Sequence, residues 1–224
     1  MKMNHTITLA ASDGFTLSAY LAQPSTPPRG GVVILPEIFG VNSHIRGVAD
    51  QYAELGYLTI APAMFDRARP GLDLGYTDQD VKTGQALMRE LSWDDAVRDI
   101  TAAAQHVASA GKVGLVGFCW GGTAAWVAAS RGAGLACAVS YYGNAIPTVL
   151  EDRPRIPMLL HWGAKDHLID VADIRRIEQA APDVQSHLYD TGHGFNCEQR
   201  TLYHAPSAAL AKERTLAFLR DHVG

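Results

Sequence analysis

The sequence predicts an α/β fold with one mostly parallel sheet and helices on both of its faces. Apolar runs typical of buried strands alternate along the chain with segments of helical periodicity. No internal repeat, low-complexity tract or linker divides the 224 residues. At ~150 residues per domain, an α/β chain of this length is expected to form one domain, residues 1–224.

The elements follow one another at short intervals. A hairpin comes first, since alternating apolar residues flank the turn dipeptide Asp13-Gly14. The predicted elements that follow are strands at 30–36, 57–62, 112–118, 135–142, 157–162 and 185–189, and helices at 42–55, 93–110, 121–131, 171–181 and 205–222. Gly56 and Gly111 are suited to end the first two helices. Residues 63–92 mix charges with glycines, so no element is predicted there.

Composition excludes several classes of protein. The formal charge is −4, from 19 Lys+Arg against 23 Asp+Glu, and no basic run exceeds two residues. The sequence therefore lacks the basic surface that binds nucleic acid or an anionic membrane. No apolar stretch approaches the ~18 residues of a membrane span. The three cysteines cannot pair completely and the N-terminus has no apolar leader segment. We therefore expect a cytoplasmic protein that is a monomer or a small homo-oligomer.

One motif combines a strand end with a nucleophile. Residues 113–122 (VGLVGFCWGG) run from a buried strand into a helix, and Gly117 and Gly121 flank Cys119. Glycines are needed there because the turn is sharp and a Cβ would collide with the neighbouring strand or helix. Most free cysteines are small buried apolar residues, but this placement at a helix N-terminus favours a reactive thiol.

A nucleophile in such a turn requires an acid and then a histidine later in the chain. Asp166 follows the strand at 157–162, and His193 follows the strand at 185–189. In this arrangement Cys119 attacks, His193 transfers the proton, and Asp166 orients the imidazole. Asp170 and Asp173 are weaker alternatives for the acid, because they suit the start of the following helix.

At these residues the sequence resembles the dienelactone hydrolase (carboxymethylenebutenolidase) family of the α/β-hydrolase fold. The resemblance covers essentially the whole chain. Its most specific parts are residues 36–40 (PEIFG), the GFCWGG turn, the Asp166 turn, residues 193–195 (HGF) and residues 213–216 (ERTL). The resemblance implies a cysteine-dependent hydrolase of small-molecule esters or lactones, with no cofactor and no metal, and with Cys119, Asp166 and His193 as the catalytic triad.

The resemblance also implies roles for the loop after the first buried strand. Glu37 would hold the resting thiol neutral and move away when substrate binds. The backbone N–H groups of Ile38 and Trp120 would form the oxyanion hole. On residue type alone, Glu37 could equally be an exposed turn carboxylate.

Recognition of a substrate carboxylate is where the sequence departs from the family. Well-known members hold the carboxylate with two arginines, and the corresponding places here are Val81 and Cys197. Lys82, Arg89 and Arg200 are near in sequence, with Arg200 the best placed to substitute. Unless one of them enters the site, neutral esters should be hydrolysed about as well as acids.

Other functions remain open at this stage. A member of the fold could bind a ligand without hydrolysing it, although such a protein has no need for Asp166 behind His193. A redox thiol is a third hypothesis, with Cys197 approaching Cys119. A metal site of His193, Cys197 and Glu198 is a further, weaker alternative.

Overall fold

The computed structural model describes residues 4–224, and residues 1–3, part of the N-terminus in which no leader is predicted, lie outside the described residues. Its strands are β1 His5–Ala10, β2 Thr16–Ala22, β3 Gly31–Leu35, β4 Leu58–Pro62, β5 Val113–Phe118, β6 Cys137–Tyr141, β7 Met158–Gly163 and β8 Gln185–Tyr189. Its α-helices are α1 Ser43–Glu54, α2 Asp78–Met88, α3 Trp93–Val107, α4 Trp120–Arg131, α5 Val171–Ala180 and α6 Ala205–His222. Short 3₁₀ helices lie at Ala108–Ala110 and Ile146–Val149.

The eight strands form one sheet in the order β1-β2-β4-β3-β5-β6-β7-β8. β1 and β2 form the predicted antiparallel hairpin, and β2 is also antiparallel to β4. Every other neighbouring pair is parallel. The strands after β2 therefore all end at the same edge of the sheet, where an open parallel sheet commonly binds its ligand.

Both faces of the sheet are covered. Alternate residues of one strand point to opposite faces, so that Val33 and Leu35 of β3 pack with α3, α4 and α5. Val32 and Ile34 of the same strand pack with α1 and α6. This double burial explains why every residue of β3, β5, β6 and β7 is buried, with no alternation between buried and exposed positions.

The structure corrects the sequence prediction mainly between residues 63 and 92. The helix α2 lies in this region, although its apolar face is narrow and only Gly84 is fully buried. Local capping defines it instead: the Thr77 side chain accepts from the Asp80 backbone N–H, and the Asp80 side chain accepts from the Thr77 N–H. The predicted helix at 93–110 ends at Val107 and finishes as a 3₁₀ turn. Within residues 4–224 no helix is long and apolar enough to cross a membrane.

Candidate active site

The turn between β5 and α4 holds Cys119 in a strained conformation. Its φ is +54° and its ψ is −114°, values that residues with a Cβ rarely adopt. A Cβ on Gly117 would lie 2.0 Å from the Gly121 carbonyl oxygen, and one on Gly121 would lie 2.6 Å from the Pro36 carbonyl oxygen. Both glycines are therefore sterically required, as the sequence predicts. The turn places the thiol at the N-terminus of α4 and at the carboxyl edge of the sheet.

Asp166 and His193, from the ends of β7 and β8, meet beside this edge. His193 Nδ1 and Asp166 Oδ2 are 2.8 Å apart, and both side chains are buried. The other Asp166 oxygen accepts a hydrogen bond from the Leu168 N–H at 2.8 Å. Asp170 is instead the N-cap of α5 and accepts from the Asp173 N–H. The structure thus pairs His193 with Asp166, and the alternatives Asp170 and Asp173 serve the helix start.

The pKa of His193 depends on the charge of the Cys119 side chain. Its Nε2 atom is buried and forms no hydrogen bond of ordinary geometry within the described residues. Burial by itself would lower the pKa of His193, but the charge of a Cys119 thiolate and the bond to Asp166 raise it to about 10. His193 is therefore held protonated when a negative charge lies beside it.

Arg200 lies in the site, paired with the buried carboxylate of Glu37. Arg200 Nη1 donates to Glu37 Oε1 at 3.1 Å, and the Glu37 side chain is only 2% exposed. The guanidinium also packs over the rings of Phe39 and Tyr76. The interpretation of Glu37 as an exposed turn carboxylate is wrong, because the residue is buried.

Gly194 makes room for this arginine. A Cβ at that position, where φ is +77°, would lie 2.6 Å from Arg200 Nη1. Lys82 and Arg89, the other two candidate cations, lie exposed on and just after α2. Within residues 4–224 neither forms a salt bridge or a side-chain hydrogen bond. Of the three candidates, the structure brings Arg200 alone to Glu37.

The two backbone groups suggested for an oxyanion hole lie on adjoining segments. The Gly121 N–H donates to the Pro36 carbonyl oxygen at 3.2 Å, which joins the start of α4 to the loop after β3. This contact brings the first residue of the helix, Trp120, next to the loop that carries Ile38. α2 packs closely on the same loop, since a Cβ on Gly84 would lie 2.4 Å from the Ile38 carbonyl oxygen.

Sequence reasoning missed two residues that follow β6. The Cys119 Sγ makes a long contact of 3.9 Å with Asn144 Oδ1, whereas Glu37, the partner expected for the thiol, is bonded to Arg200. Tyr142 is the only residue besides Cys119, glycines aside, with a positive φ among residues 4–224. The apolar run at 135–142 predicts a strand but contains no sign of a strained residue at its end.

Cys197 lies in a separate polar cluster. Its Sγ donates to the Tyr76 hydroxyl at 3.2 Å, while His44 Nδ1 and Glu198 Oε2 are 2.9 Å apart. Burial lowers the pKa of His44, but its interactions with Cys197 and Glu198 raise it to about 10. A cavity of about 400 Å³ opens beside His44 and Glu198, between α1 and α6. The alternative metal site is wrong, because Glu198 pairs with His44 and residues 4–224 contain no metal-binding cluster.

The strand order, with helices on both faces of a mostly parallel sheet, defines an α/β-hydrolase fold. Residues 17–223 match the model of the dienelactone hydrolase family. A carboxymethylenebutenolidase of Pseudomonas putida is 35% identical over 95% of this chain and 94% of its own. One from Pseudomonas sp. strain P51 is 30% identical over 96% of this chain and 94% of its own.

A solved structure from Klebsiella pneumoniae, provisionally described as a dienelactone hydrolase, superposes with a TM-score of 0.83. Its sequence is 27% identical, and the match covers 98% of this chain and all of the other. The chain belongs to the dienelactone hydrolase family, and it is a hydrolase of the ester and lactone class.

Proposed function

We propose that this protein cleaves small-molecule esters or lactones through a thioester formed on Cys119. The observation that carries the proposal is the meeting of three strand ends: a strained cysteine turn after β5, Asp166 after β7 and His193 after β8. An imidazole oriented by a buried carboxylate is the arrangement that nucleophilic acyl transfer needs. Binding alone would not require the Asp166–His193 pair.

In the first step the Cys119 thiol gives its proton to His193, the sulfur attacks the carbonyl carbon and a C–S bond forms. The carbonyl oxygen becomes negative and is held by the Ile38 and Trp120 N–H groups. When the tetrahedral intermediate collapses, the C–O bond breaks and the imidazolium of His193 gives its proton to the leaving oxygen. In a lactone this leaving alcohol remains attached to the acyl group.

Water completes the reaction. His193 takes a proton from the water as it attacks the thioester carbonyl, and the C–S bond then breaks. The carboxylic acid leaves and Cys119 is returned to its starting state. Asp166 keeps the imidazole in the orientation that serves both steps, because its bond to Nδ1 leaves Nε2 to exchange the proton.

The Glu37–Arg200 pair supports a mechanism in which substrate binding activates the thiol. The resemblance implies that Glu37 holds the resting thiol neutral, and its carboxylate is buried and paired with Arg200. The pairing of Glu37 with Arg200 supports a simple exchange: a substrate carboxylate takes the place of Glu37 on Arg200, and Glu37 moves aside. This proposal uses Arg200 for acid recognition, whereas Lys82 and Arg89 are too exposed to serve without a movement of α2.

The experiment that tests the proposal compares three cysteine variants. We expect Cys119→Ala to abolish turnover of p-nitrophenyl acetate and of a dienelactone, because only this thiol lies in the strained turn. Cys137→Ala is the matched control, since Cys137 is buried in the middle of β6. Iodoacetamide should inactivate the parent, and mass spectrometry of the rapidly quenched parent should show an acyl group on the peptide that contains Cys119.

Undiminished turnover by Cys119→Ala would overturn the mechanism. Cys197→Ala separates hydrolysis from the redox hypothesis. We expect this variant to keep its hydrolytic activity, because its thiol is bonded to Tyr76 and not to His193. A Cys119–Cys197 disulfide in the oxidised parent, with no turnover of any ester, would favour the redox function instead.

A further inference from the structure

The chain turns sharply after β6 and lies against the first turn of α4. Tyr142, the residue after the strand, has a φ of +42°, in the left-handed region that favours glycine. A Cβ on Gly143 would lie 2.9 Å from the Gly122 carbonyl carbon, and one on Gly122 would lie 2.7 Å from the Tyr141 carbonyl oxygen. Strained backbone is concentrated at functional sites. This turn brings the residue that follows Gly143 to the start of α4.

The residue that follows is Asn144, and its loop is also fixed on the far side. The Ala145 N–H donates to Thr123 Oγ1 at 3.3 Å, and the Thr123 N–H donates to the Cys119 carbonyl oxygen at 3.1 Å. Thr123 is completely buried, so water does not compete for these two bonds. Asn144 is therefore held between two anchored neighbours, with its side chain half-buried.

The thiol of Cys119 makes its hydrogen bond to Asn144. Its Sγ lies 3.9 Å from Asn144 Oδ1, which is a weak bond because S–H is a poor donor. Glu37 is bonded to Arg200 instead, and His193 Nε2 forms no hydrogen bond of ordinary geometry within residues 4–224. An amide oxygen accepts from a protonated thiol but offers nothing to a thiolate. The contact therefore favours the neutral form of the nucleophile.

The ionisable groups around the Cys119 sulfur come from three connections: His193 with Asp166, Arg200 with Glu37, and Tyr142. Burial raises the pKa of Tyr142 well above its usual value, so its hydroxyl is neutral at neutral pH. Asn144 carries no charge of its own. A substitution of Asn144 leaves all of these groups in place, so that its effect on the thiol can be measured separately.

We propose that Asn144 is a positioning residue that holds the resting Cys119 thiol in its protonated form until substrate binds. The inference rests on the proposed function, since it concerns the nucleophile of the same site. When a substrate carbonyl lies over the turn, the sulfur leaves the amide, its proton passes to His193 Nε2, and the C–S bond forms. Before substrate binds, the bond to Asn144 keeps the thiol slow toward other electrophiles.

The test is the rate at which iodoacetamide alkylates Cys119, measured from about pH 5 to about pH 10 by mass spectrometry of its peptide. We expect Asn144→Ala to react about 2- to 10-fold faster than the parent below the midpoint of the pH profile, because the protonated thiol loses a weak hydrogen bond. Asn144→Asp should react about 10-fold more slowly, because a carboxylate beside the sulfur opposes the thiolate. The midpoint should move down in the first variant and up in the second.

Thr148→Ala is the matched control for the loop. Thr148 lies on the 3₁₀ helix that follows Asn144, and its hydroxyl donates to the Ala145 carbonyl oxygen at 2.7 Å. This variant loosens the same loop, and its alkylation rate should stay within about twofold of the parent's. Circular dichroism tests whether each variant is folded. Asn144→Asp keeps the shape of the side chain, so it decides the question if Asn144→Ala does not fold.

Three results would overturn the proposal: an unchanged profile in the Asn144 variants, a midpoint that moves in the same direction in both, or an equal change in Thr148→Ala. Failure of the proposed hydrolysis is recognised separately. In that case the parent turns over neither p-nitrophenyl acetate nor a dienelactone, while the opposite shifts of alkylation in the two Asn144 variants are still measured.

Discussion

Removal of Arg200 is expected to destabilise the protein far more than removal of an ordinary surface arginine. Arg200→Ala leaves the carboxylate of Glu37, 2% exposed, without its partner at 3.1 Å. Removal of one partner of a buried ion pair typically lowers the free energy of unfolding by about 3–5 kcal/mol, because an uncompensated charge remains in the interior. In a chain of this length each kcal/mol corresponds to about 2–4 °C, so the melting temperature should fall by about 6–20 °C.

The control for this prediction is Arg46→Ala. Arg46 pairs with Asp73 at 2.9 Å, but these side chains are 47% and 50% exposed. An exposed pair contributes about 0–1 kcal/mol, so the loss should be small. Comparison of the two variants therefore separates the effect of burial from the loss of an arginine.

A double-mutant cycle isolates the ion pair from the packing of the guanidinium on Phe39 and Tyr76. In the Glu37→Gln background no carboxylate is left unpaired, so Arg200→Ala should cost about 2 kcal/mol less than in the parent. The assay is urea unfolding followed by circular dichroism, with thermal unfolding as a second measurement. A loss no larger than that of Arg46→Ala, or the same loss in both backgrounds, would refute the reasoning.

Three further predictions concern the triad, the core and the turn. Asp166→Asn should lower kcat by about 10²–10⁴-fold through the wrong imidazole tautomer, whereas Asp170→Asn retains a good helix cap and should leave kcat unchanged; a larger loss in Asp170→Asn would reverse the assignment. Burial holds the pKa of His161 well below its usual value, so the unfolded chain binds a proton below about pH 6.5 and the native state does not. The free energy of unfolding should therefore decrease by about 1.4 kcal/mol per pH unit as the pH falls from 6.5. An equally steep decrease of the free energy of unfolding in His161→Gln would contradict this explanation. Gly117→Ala should cost at least about 2 kcal/mol, because its Cβ would lie 2.0 Å from a backbone carbonyl oxygen. Gly47→Ala, with no atom within 4 Å of the new Cβ, should stabilise α1, and urea unfolding measures both variants.

The Glu37–Arg200 pair changes the expectation about substrate preference. From the sequence, with Val81 and Cys197 at the two arginine places, neutral esters are expected to be hydrolysed about as well as acids unless a nearby cation enters the site. Arg200 is the candidate for that cation, because it reaches Glu37 from a loop beyond His193. The preference is measured as kcat/KM for a carboxylated dienelactone against its methyl ester, in the parent and in Arg200→Ala.

Much of the architecture could be predicted from local pattern. Buried strands are mainly apolar and do not alternate with exposed residues, and helix starts such as Asn42 and Ser92 carry side chains that cap the following turn. α2 was missed because its helix depends on the Thr77–Asp80 capping box, and its sequence shows little amphipathic periodicity. Its position still matters for the site, since Gly84 packs against the loop that carries Ile38.

The sequence by itself determined the order along the chain of the strands and of the helices other than α2, the family, and the proposal of Cys119, Asp166 and His193 as the triad. These depend on short-range requirements: a sharp turn needs glycines beside its nucleophile, and parallel strands release their next residues at one edge. Only the tertiary structure decided that Arg200 pairs with Glu37 across 163 residues of chain, and that His193 pairs with Asp166. Such contacts depend on how two distant loops pack in three dimensions, and no local pattern of residues encodes that distance.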